Sequence, residues 1–433
     1  MKAAARKIIT NIIEWQARAV LARYKPKIVA ITGNIGKTSA KDAVYAVLSK
    51  SFYVRKSEKS FNSEIGIPLT ILGLSTAWGS PLGWIRNIIN GFRLMAHIER
   101  YPEWLVLEVG ADRPGDISRV AKWIKADIAV FTRFGEVPVH VEFFKTPDDL
   151  FAEKSHLLEA LKQAGTLILN ADDERIMTLK GKAKARVETF GFHADAMLRA
   201  SNDSISYSQA GMYGAPSGIG FRIDYDGNSM PVQLDGAFGR NHVYSALIAL
   251  SVAHSLGLNM VTAAQALRQY DLAPGRMRIH PGIKETTIID DTYNASPLAT
   301  ETALTTLGEI KTGGRRIAVL GDMLDLGRYT QDAHKAIGEY AAKNAVILVT
   351  VGIRARYIVE GAQDAGMSEK NIFQFEDSRK AGKFVEGIIE KGDIVLVKGS
   401  QGMRMERAVE EIMAHPEDKE HLLVRQDPEW LKR

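Results

Sequence analysis

The sequence predicts an α/β protein that contains two open, mostly parallel sheets, and three observations support this prediction. Short apolar strands alternate with segments of helical spacing from residue 28 onward. A second alternation of the same kind begins at residue 276. The chain of 433 residues is long enough for more than one domain with a large buried core. We expect a central domain over residues 28–275 and a smaller C-terminal α/β domain over residues 276–433.

The stretch from Lys27 to Ser39 reads Lys-Ile-Val-Ala-Ile-Thr-Gly-Asn-Ile-Gly-Lys-Thr-Ser and predicts a phosphate-binding loop. An apolar strand is followed by a turn with two glycines and by a helix that runs from Lys37 to about Leu48. Backbone N–H groups at such a helix start converge on an anion, and the helix dipole favours negative charge. Lys37 can reach terminal phosphates, and the Thr38 hydroxyl can bind a magnesium ion.

This loop is a shortened form of the motif of P-loop ATPases, because Ile31 stands where the full pattern has its first glycine. The alternative is an ordinary strand, turn and helix with a chance lysine. It is disfavoured because the glycines, the lysine and the threonine all fall at the predicted junction of strand and helix. We therefore expect the central domain to be P-loop ATPase-like.

The composition is ordinary for a globular protein and excludes several classes. The net charge of +5 is small for this length and does not indicate a nucleic-acid partner. The absence of cysteine excludes disulfides and thiolate metal sites. No uninterrupted apolar run approaches the roughly 20 residues of a membrane-spanning helix. We expect a cytoplasmic protein, with a position at the inner face of the membrane left open.

Residues 1–27 predict a basic amphipathic helix, because apolar side chains recur at helical spacing and basic residues flank them. Polar residues interrupt the apolar run, so a signal peptide is not expected. Packing of this helix on the nucleotide domain is the favoured interpretation, and contact with an anionic membrane stays open. Residues 69–100, which include the apolar stretch from Trp78 to Met95, likewise predict a buried helical hairpin, with a membrane-contacting face as the alternative.

Polar residues follow further strands of the central domain, at the edge where open α/β sheets bind ligands. Glu108 ends the strand that begins at Trp104, and a buried carboxylate there needs a cation. His140 lies beyond the strand that ends at Phe131, and taken alone it predicts only a loop histidine. The next strand ends in Asn170-Ala-Asp-Asp173.

Two later helices carry polar residues whose default interpretation is structural. Glu153, Lys154 and His156 lie on a helix near residues 148–161 and indicate a surface charge cluster. Asn241 opens a long alanine-rich helix, where a cap is the plain interpretation.

The C-terminal region predicts a Rossmann-like α/β domain with apolar strands that end in charged residues. The tail after Pro416 is charged, and we expect it to be peripheral. The strands lie at 286–291, 316–322, 345–351 and 393–398, with helices near 298–310, 331–343, 354–365, 378–390 and 403–414.

These pieces, in this order, resemble the Mur ligase superfamily of ATP-dependent amide-forming ligases over about residues 28–415. Within it they look most like the members that add D-alanyl-D-alanine to a muramoyl tripeptide. The motifs that carry the resemblance are Thr32-Gly-Asn-Ile-Gly-Lys-Thr38, Asn62-Ser-Glu-Ile-Gly-Ile-Pro68, Glu108-Val-Gly-Ala111, Asn170-Ala-Asp-Asp173, Gly239-Arg-Asn241, Pro274-Gly-Arg276, Asp290-Asp-Thr-Tyr-Asn-Ala-Ser-Pro297 and Gly321-Asp-Met-Leu-Asp-Leu-Gly327.

The resemblance implies ATP and magnesium as cofactors and assigns roles to matching residues. Asn241 would approach the adenine, while Arg276 and Asp291 would close on the nucleotide from the C-terminal domain. Lys154 would be carbamoylated and would give a second metal an oxygen ligand. The implied nucleotide-binding residues are Gly33, Asn34, Gly36, Lys37, Thr38, Ser39, Asn241, Arg276 and Asp291. The implied metal ligands are Thr38, Glu108, His140 and Lys154, and the implied catalytic residues are Lys37, Glu108, His140 and Lys154.

Three departures from the family pattern bear on these expectations. The loop Gly135-Glu-Val-Pro-Val-His140 is two residues longer than the usual Gly-x-x-His, and Lys154-Ser-His156 replaces Lys-x-Glu. Both changes touch the second metal. Only about 27 residues precede the phosphate loop, so we expect the usual N-terminal UDP-binding domain to be absent.

The resemblance implies a peptide ligase of cell-wall precursor synthesis that works through an acyl phosphate. Its expected partners are a muramoyl-peptide-type acceptor and a D-alanyl-D-alanine-type amine. A partner protein, recognition of the peptide end alone or a lipid-linked acceptor would each compensate for the missing domain. Two alternatives remain open: a related ligase for a folate or polyamide type of acid, and a non-catalytic ATP-binding switch or membrane-docked scaffold.

Overall fold

The computed structural model describes residues 3–58, 61–77, 79–97, 100–208, 214–268 and 270–432. Seventeen α-helices fall in these ranges: α1 (Ala3–Tyr24), α2 (Lys37–Leu48), α3 (Gly66–Leu72), α4 (Pro81–Ala96), α5 (Asp116–Ala121), α6 (Pro147–Ser155), α7 (Leu157–Ala160), α8 (Glu174–Met177), α9 (Arg240–Ser255), α10 (Met260–Leu267), α11 (Pro297–Glu309), α12 (Thr330–Asn344), α13 (Arg356–Asp364), α14 (Ser378–Ile388), α15 (Glu406–Ile412), α16 (Lys419–Leu422) and α17 (Pro428–Leu431).

Fifteen strands fall in the same ranges and form two sheets. They are β1 (Lys27–Thr32), β2 (Val54–Lys56), β3 (Trp104–Glu108), β4 (Ala126–Phe131), β5 (Leu161–Asn170), β6 (Arg186–Gly191), β7 (Leu198–Tyr207), β8 (Pro216–Tyr225), β9 (Asn228–Asp235), β10 (Arg278–Gly282), β11 (Thr286–Asp291), β12 (Arg316–Gly321), β13 (Ile347–Val351), β14 (Ile372–Phe375) and β15 (Ile394–Lys398).

The first sheet has the order β2-β3-β1-β4-β5-β6-β7-β8-β9, and its strands are parallel as far as β7. Strands β8 and β9 then continue the sheet in antiparallel pairing. Strands β1 and β3 are buried on both faces, which explains their continuous apolar sequences. Because β1 lies between β3 and β4, the loops after these three strands meet at one edge of the sheet.

The second sheet has the order β10-β11-β15-β12-β13-β14, and only β10 pairs antiparallel. Helices cover both of its faces, with one apolar core on each. The mixed α/β fold with two mostly parallel sheets is therefore confirmed. The sequence did not reveal the short strands β2, β10 and β14.

The N-terminal helix packs on the first sheet, as the favoured interpretation held. Ile13, Ala17 and Val20 are fully buried in the core that β1 and β3 share with α3 and α4. The burial predicted for the Trp78–Met95 stretch is correct for Trp84 and Leu94, which are buried on α4. It is wrong for the rest of the apolar residues on α4 that form an exposed stripe. Trp78 itself lies outside the described residues. Within the described ranges, no helix combines the length and apolar character that a membrane-spanning segment requires.

The middle of the C-terminal tail is buried, which corrects the prediction that the tail after Pro416 is peripheral, while residues 416–418 and 420–421 are exposed. Leu423 and Val424 are buried, and the Arg425 side chain is only 5 % exposed. Its guanidinium donates to the carbonyl oxygens of Thr292 (2.7 Å) and Tyr293 (2.8 Å) and pairs with a buried glutamate. Arg425 is therefore a buried charge of the tail, and its hydrogen bonds stabilise the loop that follows β11.

Candidate active site

The phosphate-loop segment forms the turn that the sequence predicts between β1 and α2. Gly33 has φ 140° and Gly36 has φ 82°, backbone conformations that other residues adopt only under strain. A Cβ on Gly33 would also lie 2.0 Å from Thr132 Oγ1, so only glycine fits there. Gly36 caps α2, which leaves the first N–H groups of the helix pointing toward the turn.

Glu108 ends β3 beside this turn and is almost completely buried. The Thr38 hydroxyl donates to Glu108 Oε2 at 3.0 Å, and the Asn62 amide donates to Oε1 at 3.1 Å. The Asn62 loop and the phosphate loop therefore meet at one carboxylate. Only the family resemblance predicted that Glu108 and Thr38 lie together. The contact of Asn62 with Glu108 was not predicted.

This carboxylate and hydroxyl fit a magnesium ion. Both are hard oxygen ligands, and adjacent ligands of octahedral Mg²⁺ lie about 3 Å apart. Among the described residues, no group of three or more His, Asp or Glu side chains is placed to hold a metal ion. The phosphate oxygens of a nucleotide and water would have to complete the coordination.

Two lysines approach the same turn. Lys154 Nζ donates to the Gly33 carbonyl oxygen at 3.1 Å, and Lys37 Nζ lies 3.4 Å from the carbonyl oxygen of Asn34. Burial, with the charge of Lys37 as a second cause, lowers the pKa of Lys154 well below its ordinary value. Burial also lowers the pKa of Lys37, whose side chain is partly exposed but whose ammonium lies deep.

The default interpretation of residues 153–156 as a surface charge cluster is wrong for two of its three members. Lys154 is buried at the phosphate loop. Glu153 is buried as well and accepts from the N–H groups of Gly115, Ile117 and Ser118. It thereby satisfies the N–H groups at the start of α5, while His156 is partly exposed and pairs with Glu159.

Arg276 reaches the phosphate loop from the chain that leads into the second sheet. Its guanidinium donates to Thr38 Oγ1 at 3.2 Å and lies over the Tyr293 ring, 3.8 Å from the centroid. Its Nε atom is buried without a hydrogen-bond partner in the described part of the chain. The segment before β10 supplies the Arg276 guanidinium and the loop after β11 supplies the Tyr293 ring. Together they place a cation at the predicted nucleotide site.

His140 lies between two carboxylates, one from the loop after β3 and one from the loop after β12. Its Nε2 is 3.4 Å from Asp112 Oδ1, and its Nδ1 is 3.2 Å from Asp325 Oδ2. The neighbouring histidine lowers the pKa of Asp325. Asp112 is a residue that the sequence reasoning missed, although it directly follows the quoted Glu108–Ala111 motif and its charge acts on both lysines.

Asn241 is not the cap of α9, because Gly239 occupies that position. Its Oδ1 atom is buried and has no hydrogen-bond partner among the described residues. The second turn of α9 lies near the phosphate loop, since a Cβ on Gly36 would be 4.0 Å from Ser245 Oγ, and this hydroxyl donates to the Asn241 carbonyl oxygen at 2.9 Å. The resemblance implies that Asp291 closes on the nucleotide. In the structure Asp291 forms a buried ion pair with Lys398 at 2.6 Å and accepts from the Met277 N–H, one residue after Arg276.

Two family models match this chain. The Mur ligase middle domain matches residues 85–253, and the Mur ligase glutamate ligase domain matches residues 275–401. The second match begins directly before Arg276 and covers β10 to β15.

Curated relatives and solved structures agree with these matches. The UDP-N-acetylmuramoyl-tripeptide–D-alanyl-D-alanine ligase of Bacillus subtilis is 26% identical over 92% of this chain and 79% of its own length. The enzyme of the same name from Escherichia coli is 25% identical over 92% and 78%. The crystal structure of MurF ligase from Thermotoga maritima in complex with ADP has a TM-score of 0.75 at 24% identity, covering 93% of this chain and 83% of that one.

Proposed function

The chain belongs to the Mur ligase family, and from that premise we propose that it is an ATP-dependent peptide ligase of cell-wall precursor synthesis. It joins D-alanyl-D-alanine or a similar amine to the carboxylate of a muramoyl-peptide-type acceptor. The names of the curated relatives support this reaction, and the ADP in the Thermotoga maritima complex supports the use of ATP. We place the reaction in the cytoplasm.

One observation carries the proposal: a cation from beyond residue 275 meets the phosphate loop at the buried Thr38–Glu108 pair. We assign residues 28–275 to an ATP-binding domain and residues 276–433 to a ligase domain that closes on it. A phosphoryl-transfer site needs positive charge from several directions around the transferring group. Lys37 and Arg276 supply it from the two domains.

The reaction has two steps. The acceptor carboxylate attacks the γ-phosphorus of ATP, the bond to ADP breaks, and an acyl phosphate forms. The amine then attacks the acyl carbon, and phosphate leaves with the bonding electron pair through a tetrahedral intermediate. Lys37 and the backbone from Gly33 to Ser39 bind the triphosphate, and closure of the two domains excludes water from the acyl phosphate.

Magnesium would be held by Thr38 and Glu108, and His140 and Lys154 would hold a second ion. When bound, the metal neutralises phosphate charge that would otherwise repel the acceptor carboxylate. The lowered pKa of Lys154 supports its carbamoylation, because only a neutral amine adds to carbon dioxide. The product is a carbamate anion and a proton, and this change turns a repelling ammonium into an oxygen ligand.

The unpaired buried atoms support the nucleotide assignment. Asn241 Oδ1 offers an acceptor that an adenine amino group would satisfy, and Arg276 Nε offers a donor for phosphate oxygen. Asp291 acts indirectly, because its hydrogen bond from the Met277 N–H fixes the backbone next to Arg276.

The amine substrate has a candidate site in a cleft of about 420 Å³ between Glu142 and the loops after β12 and β13. Arg328, Arg354 and Arg356 line it, and Asp325 joins it to His140. Arginine binds carboxylates in a bidentate manner, and a dipeptide such as D-alanyl-D-alanine carries one carboxylate. We assign this cleft to the carboxylate end of the incoming amine.

The test is a product analysis. The protein is incubated with ATP, magnesium, D-alanyl-D-alanine and a muramoyl tripeptide, with and without the UDP group, and products are identified by mass. We expect a ligated peptide and an equal amount of ADP, both dependent on the amine. Release of ADP without any acceptor would support a switch, and ligation of another acid alone would support the related ligase.

A further inference from the structure

We propose that the face formed by α1 and α4 is an interfacial surface that binds an anionic phospholipid membrane. The apolar side chains of this face enter the acyl boundary, and basic side chains around them contact lipid phosphates. This inference goes beyond the ligase reaction and stands without it, because no part of the phosphate site contributes to the face.

The first observation is a concentration of exposed apolar side chains. Six of the thirteen large apolar side chains that are exposed among the described residues lie on these two helices. On α4 they follow a spacing of three and four residues, which places them on one stripe. They are Leu82 (79% exposed), Ile85 (53%), Ile89 (47%) and Phe92 (47%) on α4, with Ile8 (60%) and Trp15 (53%) on α1.

The second observation is that the two helices present these side chains together. They run parallel, because Gln16 donates to the Ile88 carbonyl oxygen and, seven residues further along both helices, Arg23 donates to the Met95 carbonyl oxygen. The contact is close, since a Cβ on Gly91 would lie 2.3 Å from the Gln16 side chain. The Trp15 and Phe92 rings meet at 6.0 Å, so the stripe of α4 continues onto α1.

The third observation is charge. The two helices carry six basic side chains and one acidic side chain, and that acid, Glu14, already pairs with Arg18. Arg86 and Arg93 are exposed on α4, next to the apolar stripe. Tryptophan, phenylalanine and leucine surrounded by arginine and lysine are typical of helices that lie in an anionic interface.

A cavity on the other flank of α1 extends the basic surface. It has a volume of about 410 Å³ and is lined by Arg18, Lys25, Lys125 and Trp123, among others. The Trp123 indole N–H is buried and has no hydrogen-bond partner among the described residues. A lipid headgroup phosphate would accept from this N–H while the surrounding cations neutralise its charge.

The charge also argues against a second copy of the chain as the occupant. Two such faces would bring like charges together, which opposes association. An anionic bilayer satisfies both features at once, because it offers hydrocarbon to the stripe and phosphate to the basic residues.

The test is sedimentation of the full chain with vesicles in the absence of ATP. We expect binding to vesicles of phosphatidylglycerol and phosphatidylcholine, little binding to phosphatidylcholine alone, and release by high salt. The variant Ile89→Ser with Phe92→Ser should bind at least about tenfold more weakly. The variant Arg86→Glu with Arg93→Glu should lose the preference for anionic vesicles.

The matched control is Val261→Ser with Val346→Ser, because these side chains are exposed to a similar extent (54% and 47%) on other faces. It should bind vesicles as the unchanged protein does. Equal binding by the control and the Ile89/Phe92 variant would overturn the proposal, as would no binding by the unchanged protein. The proposal would also be overturned if the unchanged protein self-associates, if the Ile89/Phe92 variant does not, and if vesicles do not compete with this self-association. All variants should keep ligase activity in vesicle-free solution, so failure here is distinct from failure of the ligase proposal.

Discussion

Arg276 donates a hydrogen bond to Thr38 Oγ1 at 3.2 Å across 238 residues of chain. The same Thr38 hydroxyl donates to Glu108, so both its proton and an oxygen lone pair are in use. A nucleotide with its metal would need that lone pair, and Arg276 would then be released beside the phosphates.

Replacement of Arg276 should affect chemistry more than folding. We expect Arg276→Ala to reduce ATP-dependent ligation by about a hundredfold, because one preorganised cation is lost from the transferring phosphoryl group. Arg276→Lys should recover part of the rate, since it keeps the charge but not the contact with Tyr293. Steady-state kinetics with varied ATP gives kcat and KM separately. The surface variant Arg268→Ala is the control, and an Arg276→Ala enzyme as active as this control would contradict the assignment.

Lys37→Ala should abolish ATP turnover while the fold persists. Burial lowers the pKa of Lys37, and a bound phosphate would offset the cost of burying its charge. Removal of this group should therefore cost little stability and most of the affinity for phosphate. Thermal unfolding checks the first statement, and ADP release checks the second. Turnover near that of the unchanged protein would exclude the phosphate-loop assignment.

The sequence predicted the parts of the site that depend on local structure. The strand, the two glycines and the helix start at Lys37 are neighbours in the chain, and their geometry follows from backbone preferences. The contacts of His140 with Asp325 and of Arg276 with Thr38 join residues far apart in sequence, and no periodicity encodes them. The burial of Lys154 was missed because a lysine is rarely buried, and only the tertiary fold removes its solvent.

Glu108→Gln should raise the magnesium concentration required for turnover by about tenfold or more. The amide keeps the shape and can still accept from the Thr38 hydroxyl, but it loses the charge that attracts a divalent cation. A magnesium titration of ADP release measures the shift. Glu64→Gln, which removes a carboxylate that pairs with Arg119 at the surface, is the matched control. An identical titration for Glu108→Gln and the control would exclude Glu108 as a ligand.

Carbamoylation of Lys154 should depend on pH in a defined direction. Because its pKa is lowered, the Lys154 amine is neutral over a range of pH in which an ordinary lysine, with a pKa of about 10.4, is protonated. Acidification through the lowered pKa protonates the amine. Labelled bicarbonate should give a carbamate carbon signal by NMR that weakens as pH falls. Lys154→Arg should give no such signal, whereas Lys162→Arg should keep it. Lys154→Ala should lose activity that added short carboxylates partly restore, and full activity of that variant would refute this role.

Arg425→Ala should destabilise the C-terminal region and weaken ATP binding together. The guanidinium is buried against the carbonyl oxygens of Thr292 and Tyr293 and against Glu406. Its loss leaves the two carbonyl oxygens without this donor and leaves Glu406 with Arg404 as its remaining cation. We expect a loss of about 3 kcal/mol in the free energy of unfolding. Tyr293 carries the guanidinium of Arg276 on its ring, so the loosened loop should also raise the KM for ATP. Urea unfolding and kinetics measure the two effects.

The control is Arg379→Ala, because that arginine is half-exposed and pairs only at the surface. A destabilised Arg425→Ala protein with unchanged KM for ATP would show that the tail braces the fold without positioning Arg276.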